Sequence, residues 1–312
     1  MIKSEGGIVR YKGSDNEIRA DLICIFRALS QGDIVDGEED ARFLYRLAHI
    51  DEKKEIGGFD DMNYDNIPAV RRSELWELRK SPAHYIYAVQ NPPKETAALA
   101  FGTASHKYIL ETDEFWNEYV LAPEVDRRTK AGKEAWAEHL RRLGEKSSIS
   151  ISDYTTIQEM NESIIANETA KKLLKTGTHE IPITWTDPET GELCKCRPDC
   201  ITEYNGEKYI VDYKTTTSCE DGHFERSCRY YGYKLQAAMY TEGMFQSTFE
   251  SYKFAFVAQE KNPPYAVRVY FCDQGFIDEG MDIFRTLINK YHECKIAGNW
   301  PGYEDRGLYG DE

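Results

Sequence analysis

The stretch CKCRPDCITEYNGEKYIVDYKTTT, residues 194–217, decides how the chain folds. It carries Pro198-Asp199, the dipeptide Asn205-Gly206 and the triplet Asp212-Tyr213-Lys214. Asn-Gly between two apolar-alternating runs is the strongest short-range hairpin signal, normally a two-residue type I′ loop. With Asn205 and Gly206 as the loop, Tyr204 faces Glu207, Thr202 faces Tyr209, and Asp199 falls opposite Asp212. Opposed residues have Cβ atoms only ~5 Å apart. Side chains alternate along a strand, so Lys214 shares a face with Asp212 and Tyr213 points away.

Two opposed carboxylates repel, and a sequence that keeps them usually has a cation between them. Hard divalent ions such as Mg²⁺, with Mn²⁺ as its substitute, are held by a few carboxylates plus substrate phosphates. A lysine beside such a site can orient a water or stabilise phosphate charge. The plainer alternative is a solvated hairpin with incidental charges, because short motifs recur by chance. The preceding segment bears on that choice. From His179 the period is two, and EIPITWTDPETGELCKCRPD reads as another hairpin, turning at Asp187-Pro188 and Gly191. If Thr186 pairs with Leu193, Glu180 falls opposite Asp199 as a third carboxylate. That longer turn fixes its register less tightly.

The 312 residues suffice for one large domain or two small ones, and 41% hydrophobic with 12% aromatic content suits a sizeable core. No run of ~18 apolar residues implies a membrane span. The opening MIKSEGGIVRYKG has no apolar signal-peptide core, and eight cysteines then read as reduced thiols in a cytoplasmic protein. Cys194, Cys196 and Cys200 have the opposite parity to Asp199 and lack a C-x-x-C pair, so small buried side chains are the default over zinc or an iron–sulfur cluster. A net charge of −15 excludes a generic nucleic-acid coat but not an enzyme with a local basic channel.

Along the chain, residues 1–60 form an acidic leader with two amphipathic patterns, Ile18-Leu22-Phe26-Leu29 and Phe43-Leu44-Leu47. Ser73 is positioned to cap one helix, ELWELRKSPAHYIYAV, ended by Asn91-Pro92-Pro93. Gly102-Thr103 begins a helix carrying His106, which on its own is more often structural than a ligand. VDRRTKAGKEA reads as a loop entering a helix, and its Arg127, Arg128 and Lys130 are free to reach phosphates or simply face water. Residues 153–176 read as one helix, and 218–226 as a polar loop. RYYGYKLQAAMYTEGM is then a helix with Gln236 and Tyr240 on one face. Two strands, YKFAFVAQE and YAVRVYFCD, and a helix over Phe276–Lys295 complete the pattern.

This order resembles the PD-(D/E)xK nuclease superfamily, and more narrowly the exonuclease VIII type of phage-recombination exonucleases. PAVRRSELWELRKSPAHYIY, LAFGTASHKYILETDEF, DRRTKAGKEAW, CRPD, VDYKTTT and YGYKLQAAMY carry the likeness, over about Ile67 to Tyr291. Asp212 stands where many superfamily members have Glu, and Asp is the form expected in this subgroup. The resemblance implies an α/β fold, a central mixed sheet flanked by helices with a restriction-endonuclease-like core. That core spans Ala69–Lys295 within a nuclease domain of residues 61–312. It implies His106, Asp199 and Asp212 as metal ligands with the Tyr213 carbonyl, and Glu180 as a further ligand. Lys214 would position or activate the attacking water, and Gln236 and Tyr240 would orient Lys214 or the scissile phosphate. The activity implied is Mg²⁺-dependent 5′ to 3′ digestion of linear double-stranded DNA, by a homo-oligomeric ring with Arg127, Arg128 and Lys130 lining the hole. The 3′ strand left behind would pass to a single-strand annealing protein. An endonuclease or Cas4-like nuclease, and a DNA- or partner-binding protein that does not cut, are the competing classes.

Overall fold

The computed structural model describes residues 3–5, 8–10, 64–92 and 96–305, so the two leader helices expected before residue 60 lie outside the described residues. The chain divides into two units, residues 1–58 with 247–249 and residues 59–246 with 250–312. In the first, β1 (Lys3–Glu5) pairs antiparallel with β2 (Ile8–Arg10). The second unit holds the larger sheets and their helices.

In it, β3 (Val70–Arg71) leads into α1 (Arg72–Leu78) and α2 (Pro82–Gln90). The single helix expected from Ser73 is therefore two. Pro82 has no N–H to continue the first helix and favours an extended residue before it. Ser81 is extended and accepts a hydrogen bond from the His84 N–H, so it, not Ser73, is the capping residue. Helix α3 (Ala97–Leu110) starts earlier than expected, with Thr96 as its cap. Next come α4 (Phe115–Glu118), β4 (Tyr119–Leu121), α5 (Lys130–Leu143) and β5 (Ser147–Ile149). Asn167 splits the helix expected over 153–176 into α6 (Ile151–Ala166) and α7 (Glu168–Lys175), because its side chain caps the second.

Strands β6 (Thr178–His179), β7 (Ile183–Thr186), β8 (Leu193–Cys196), β9 (Cys200–Tyr204) and β10 (Glu207–Thr216) come after α7. The expected loop at 218–226 is largely helical: α8 (Asp221–Tyr231) precedes α9 (Tyr233–Thr248). The chain continues through β11 (Lys253–Glu260), β12 (Val267–Phe271) and α10 (Gln274–Ala297). Five strands make a central sheet in the order β12-β11-β10-β9-β6. It is mixed, with β10 and β11 parallel and the other neighbours antiparallel. Parallel neighbours need a crossover, and α8 with α9 supply it. A smaller sheet, β3-β8-β7, holds the second hairpin.

The central strands are covered on both faces. Ile210, Phe254 and Phe256 pack with Leu235, Ala237, Met239 and Phe284 from α9 and α10. Val211, Tyr213, Ala255 and Val257 pack with Ile109, Leu173 and Leu174 from α3 and α7. Parallel strands buried this way read as near-continuous apolar runs, as KFAFVAQE does. The described cysteines are free thiols, buried except for Cys272. Among the described residues no helix is long and apolar enough to cross a membrane.

Helix α10 crosses α9 at Gly280, where an added Cβ would stand 2.2 Å from the Lys234 carbonyl oxygen and 2.9 Å from the Ala238 Cβ. Backbone cannot yield as a flexible side chain can. Gly280→Ala is expected to cost about 1–3 kcal/mol through overpacking, seen as a lower midpoint in thermal denaturation. A variant that melts with the wild type would contradict this contact.

Candidate active site

The first hairpin has the expected turn. Asn205 and Gly206 have φ of 53° and 77°, the paired positive values of a type I′ loop. Strands β9 and β10 pair Tyr204 with Glu207, Thr202 with Tyr209 and Cys200 with Val211. One step further lie Asp199 and Asp212. Strand β9 starts only at Cys200, and in place of a ladder bond the Asp199 carboxylate accepts the Tyr213 N–H at 2.7 Å. Thus Asp199 sits one residue before β9 and serves as a side-chain acceptor for the neighbouring strand.

The second register holds too. Thr186 pairs with Leu193, and β6 pairs Thr178 with Ile201 and His179 with Cys200. The Glu180 N–H then reaches the Asp199 carbonyl at 3.4 Å. Glu180 has φ of 55°, a left-handed conformation rare outside glycine, where the chain leaves β6. Helix α3 brings His106 to the same place, its Nδ1 3.4 Å from Asp199 Oδ2. His106, Glu180 and Asp199 each offer a ligating atom, and these atoms all lie within 4.8 Å of one another.

Asp212 is 2% exposed and is held from two sides. Lys214 Nζ is 2.5 Å from its Oδ1, and the Gln236 side-chain amide donates to its Oδ2. Lys214 also lies 5.1 Å over the Tyr233 ring. Tyr240, one turn after Gln236, has its hydroxyl pKa pushed far up by burial, with Asp212 and Arg72 among its charged neighbours. The His106 ring meets the Tyr213 ring edge to face at 4.9 Å, so the backbone of Tyr213 passes close to the cluster.

Burial, then the Asp212 charge, raises the Asp199 carboxyl well above the usual range, while Lys214 and the Tyr213 N–H oppose it. Burial also raises Glu180, against the attraction of Arg197. Burial and then the Lys214 ammonium push His106 down to about 4, which leaves its imidazole neutral, as a metal ligand requires, near pH 7. Carboxylates that resist ionising together, a neutral histidine and a backbone carbonyl make an oxygen-rich set that fits a hard divalent cation. In addition, Asp212 Oδ1 is buried and takes no hydrogen bond; the Lys214 ammonium balances its charge.

The basic cluster has partners of its own. Arg127 lies 4.6 Å over Trp136, Arg128 Nε is 2.9 Å from Asp126, and Lys130 is 4.0 Å from Glu134. None of these partners belongs to the carboxylate cluster. Two further residues flank the site. Arg197 Nε is 2.8 Å from Glu180. Arg197 was not among the site residues expected from the sequence, although the register that opposes Glu180 to Asp199 makes it the diagonal neighbour of Glu180. Arg72 reaches Gln236 Oε1 at 3.5 Å and the Tyr231 carbonyl at 2.9 Å. Nothing local marks it, since both partners lie more than 150 residues away.

A sheet flanked by helices, with carboxylates and a lysine at the end of adjacent strands, defines the PD-(D/E)xK class of nuclease-type α/β folds. Residues 72–308 match the model of a family described as a PDDEXK-like domain of unknown function (DUF3799), and the chain belongs to that family. No curated protein matches it. Among solved structures it is similar to a candidate exonuclease from Eubacterium rectale, with a TM-score of 0.55 at 15% identity over 76% of this chain and 87% of that one. At that identity the likeness concerns the fold. SSO0001 aligns over 88% of both chains at 10% identity, with a TM-score of 0.28 that carries no weight.

A cation bound here must compete with the proton on Asp199. Lowering pH through that raised pKa reprotonates the carboxyl, so affinity for Mg²⁺ or Mn²⁺ is expected to rise with pH through it, with proton release on binding. Calorimetric titration in buffers of different ionisation heat reads both. Asp199→Asn should bind at least about tenfold more weakly and lose the cation-induced rise in melting temperature. Equal affinity in the variant would remove Asp199 from the site.

Proposed function

We propose that the chain is a metal-dependent deoxyribonuclease, an exonuclease that hydrolyses the phosphodiester bonds of linear double-stranded DNA with Mg²⁺. The observation that carries this reading is the constellation of buried Asp199 and Asp212 with half-buried Lys214, with His106 and Glu180 grouped on Asp199 and Gln236 on Asp212. His106, Asp199, Asp212 and the Tyr213 carbonyl are the proposed ligands, with Glu180 as a further one. Bound there, Mg²⁺ would neutralise phosphate charge and lower the pKa of a bound water.

The remaining roles follow from the chain's own contacts. Lys214 has its ammonium fixed between a carboxylate and an aromatic face, so it can donate to an attacking water or a non-bridging phosphate oxygen without reorganising. Gln236 fixes the Asp212 carboxylate through its amide, and Arg72 fixes Gln236 in turn. Tyr240 stands one turn on, beside this relay. The 5′ to 3′ polarity, a homo-oligomeric ring and transfer of the 3′ strand to an annealing protein in phage-type recombination belong to the same proposal. So does a cytoplasmic site of action. The exposed Arg127, Arg128 and Lys130 suit contact with duplex phosphates despite a net charge of −15.

Digestion of 5′-labelled linear and closed circular duplexes, with Mg²⁺ and with EDTA, tests the proposal. Linear DNA should be degraded and circles spared, with no activity in EDTA. Lys214→Ala and Asp212→Ala should each lower the rate by about 10²–10³ or more. Cutting of circles would overturn the exonuclease mode. Full activity in either variant would overturn the site, and no cation-dependent cleavage of any DNA would favour a protein that binds without cutting.

A further inference from the structure

The corner between α8 and α9 carries a feature that the cleavage chemistry leaves unused. Its sequence is Arg229-Tyr230-Tyr231-Gly232-Tyr233. Helix α8 ends in a left-handed Gly232, with φ of 70° and ψ of 41°. Glycine is required twice over there, because an added Cβ would stand 2.5 Å from the Trp76 ring.

The last carbonyls of a helix have no partners within it. Here α1 supplies them: Trp76 Nε1 donates to the Tyr230 carbonyl at 3.2 Å and Arg72 to the Tyr231 carbonyl at 2.9 Å. The corner is thus clamped by two side chains of another helix. Yet the two rings that it presents face solvent, Tyr230 at 72% and Tyr231 at 51% exposure. They touch edge to face at 4.8 Å, and Tyr231 stacks on the buried Tyr233 at 5.8 Å. Single exposed aromatics are ordinary; here two in contact sit on a corner whose backbone is clamped.

Two observations say what it binds. The corner is continuous with the carboxylate site: Tyr233 lies under the Lys214 ammonium at 5.1 Å, and Arg72 joins the Tyr231 carbonyl to Gln236. It is also interleaved with cations, Arg229 exposed beside Tyr230 and Arg79 at 4.3 Å over the Trp76 ring. Exposed aromatic faces with guanidinium groups are the chemistry of a stacking platform for unpaired bases. A clamped backbone lowers the ordering cost of such binding.

We propose that Tyr230 and Tyr231 stack on unpaired bases of single-stranded DNA next to the site of cleavage. This rests on the reading of the chain as a DNA-acting enzyme. Steps of 5.8 and 5.1 Å separate Tyr231 from the Lys214 ammonium. At ~3.4 Å per nucleotide along a stacked strand, the platform lies within about three nucleotides of that ammonium.

The test is binding of a short oligothymidylate carrying one 2-aminopurine, in EDTA so that nothing is cut. Base stacking should quench the 2-aminopurine in the wild type. The double variant Tyr230→Ala/Tyr231→Ala should lose the quench and bind about 5- to 100-fold more weakly. Tyr230→Phe/Tyr231→Phe, which keeps the rings, should stay within about twofold. All three should melt alike. Unchanged binding in the alanine variant overturns the proposal. So does a change of oligomeric mass in that variant with single-strand binding retained, which would make the corner a protein interface. Wild-type protein that quenches the probe but cuts no DNA would sink the nuclease reading and leave the corner standing. Wild-type protein that degrades linear duplex while the alanine variant still quenches would do the reverse.

Discussion

Two aspartates held opposite each other at the end of a hairpin are the constraint around which the catalytic unit is built. A two-residue type I′ turn admits one register, and that register brings Asp199 and Asp212 together where the sheet is buried on both faces. Like charges in such a place are costly. The surroundings answer that cost group by group: Lys214 and Gln236 on Asp212, the Tyr213 N–H on Asp199, and Arg197 on nearby Glu180.

The helices deliver what the hairpin cannot. Helix α3 packs against the face of Val211 and Tyr213 and carries His106 to Asp199, its ring meeting the Tyr213 ring at 4.9 Å. Helix α9 packs on the opposite face and inserts Gln236. Helix α1, far away in sequence, secures both Gln236 and the α8–α9 corner through Arg72. One arginine thus links the buried acidic centre to an exposed aromatic surface. Function at such a site depends on supporting contacts as much as on the groups that would touch substrate.

Charge follows the same division of labour. The chain is strongly acidic, at −15, and exposed cations stand at the end of α1, at the start of α5 and at the α8–α9 corner.

Hairpin registers were legible because side-chain alternation and an Asn-Gly turn are local rules acting over a few residues. They placed Asp199, Asp212, Lys214 and Glu180 correctly relative to one another. Helix limits were less so, because several residues could serve as caps or breaks. Ser81-Pro82 and Asn167 acted where Ser73 and an unbroken helix were expected, and α8 formed where a polar loop was expected. The sequence by itself therefore determined the strand pairing and the meeting of the two aspartates, and its resemblance pointed to the PD-(D/E)xK class. Tertiary structure alone decided how α3 brings His106 to Asp199, how α9 brings Gln236 to Asp212, and the parts played by Arg72 and Trp76. The reason is physical. Those contacts join elements distant along the chain, and close packing around one core brings them together.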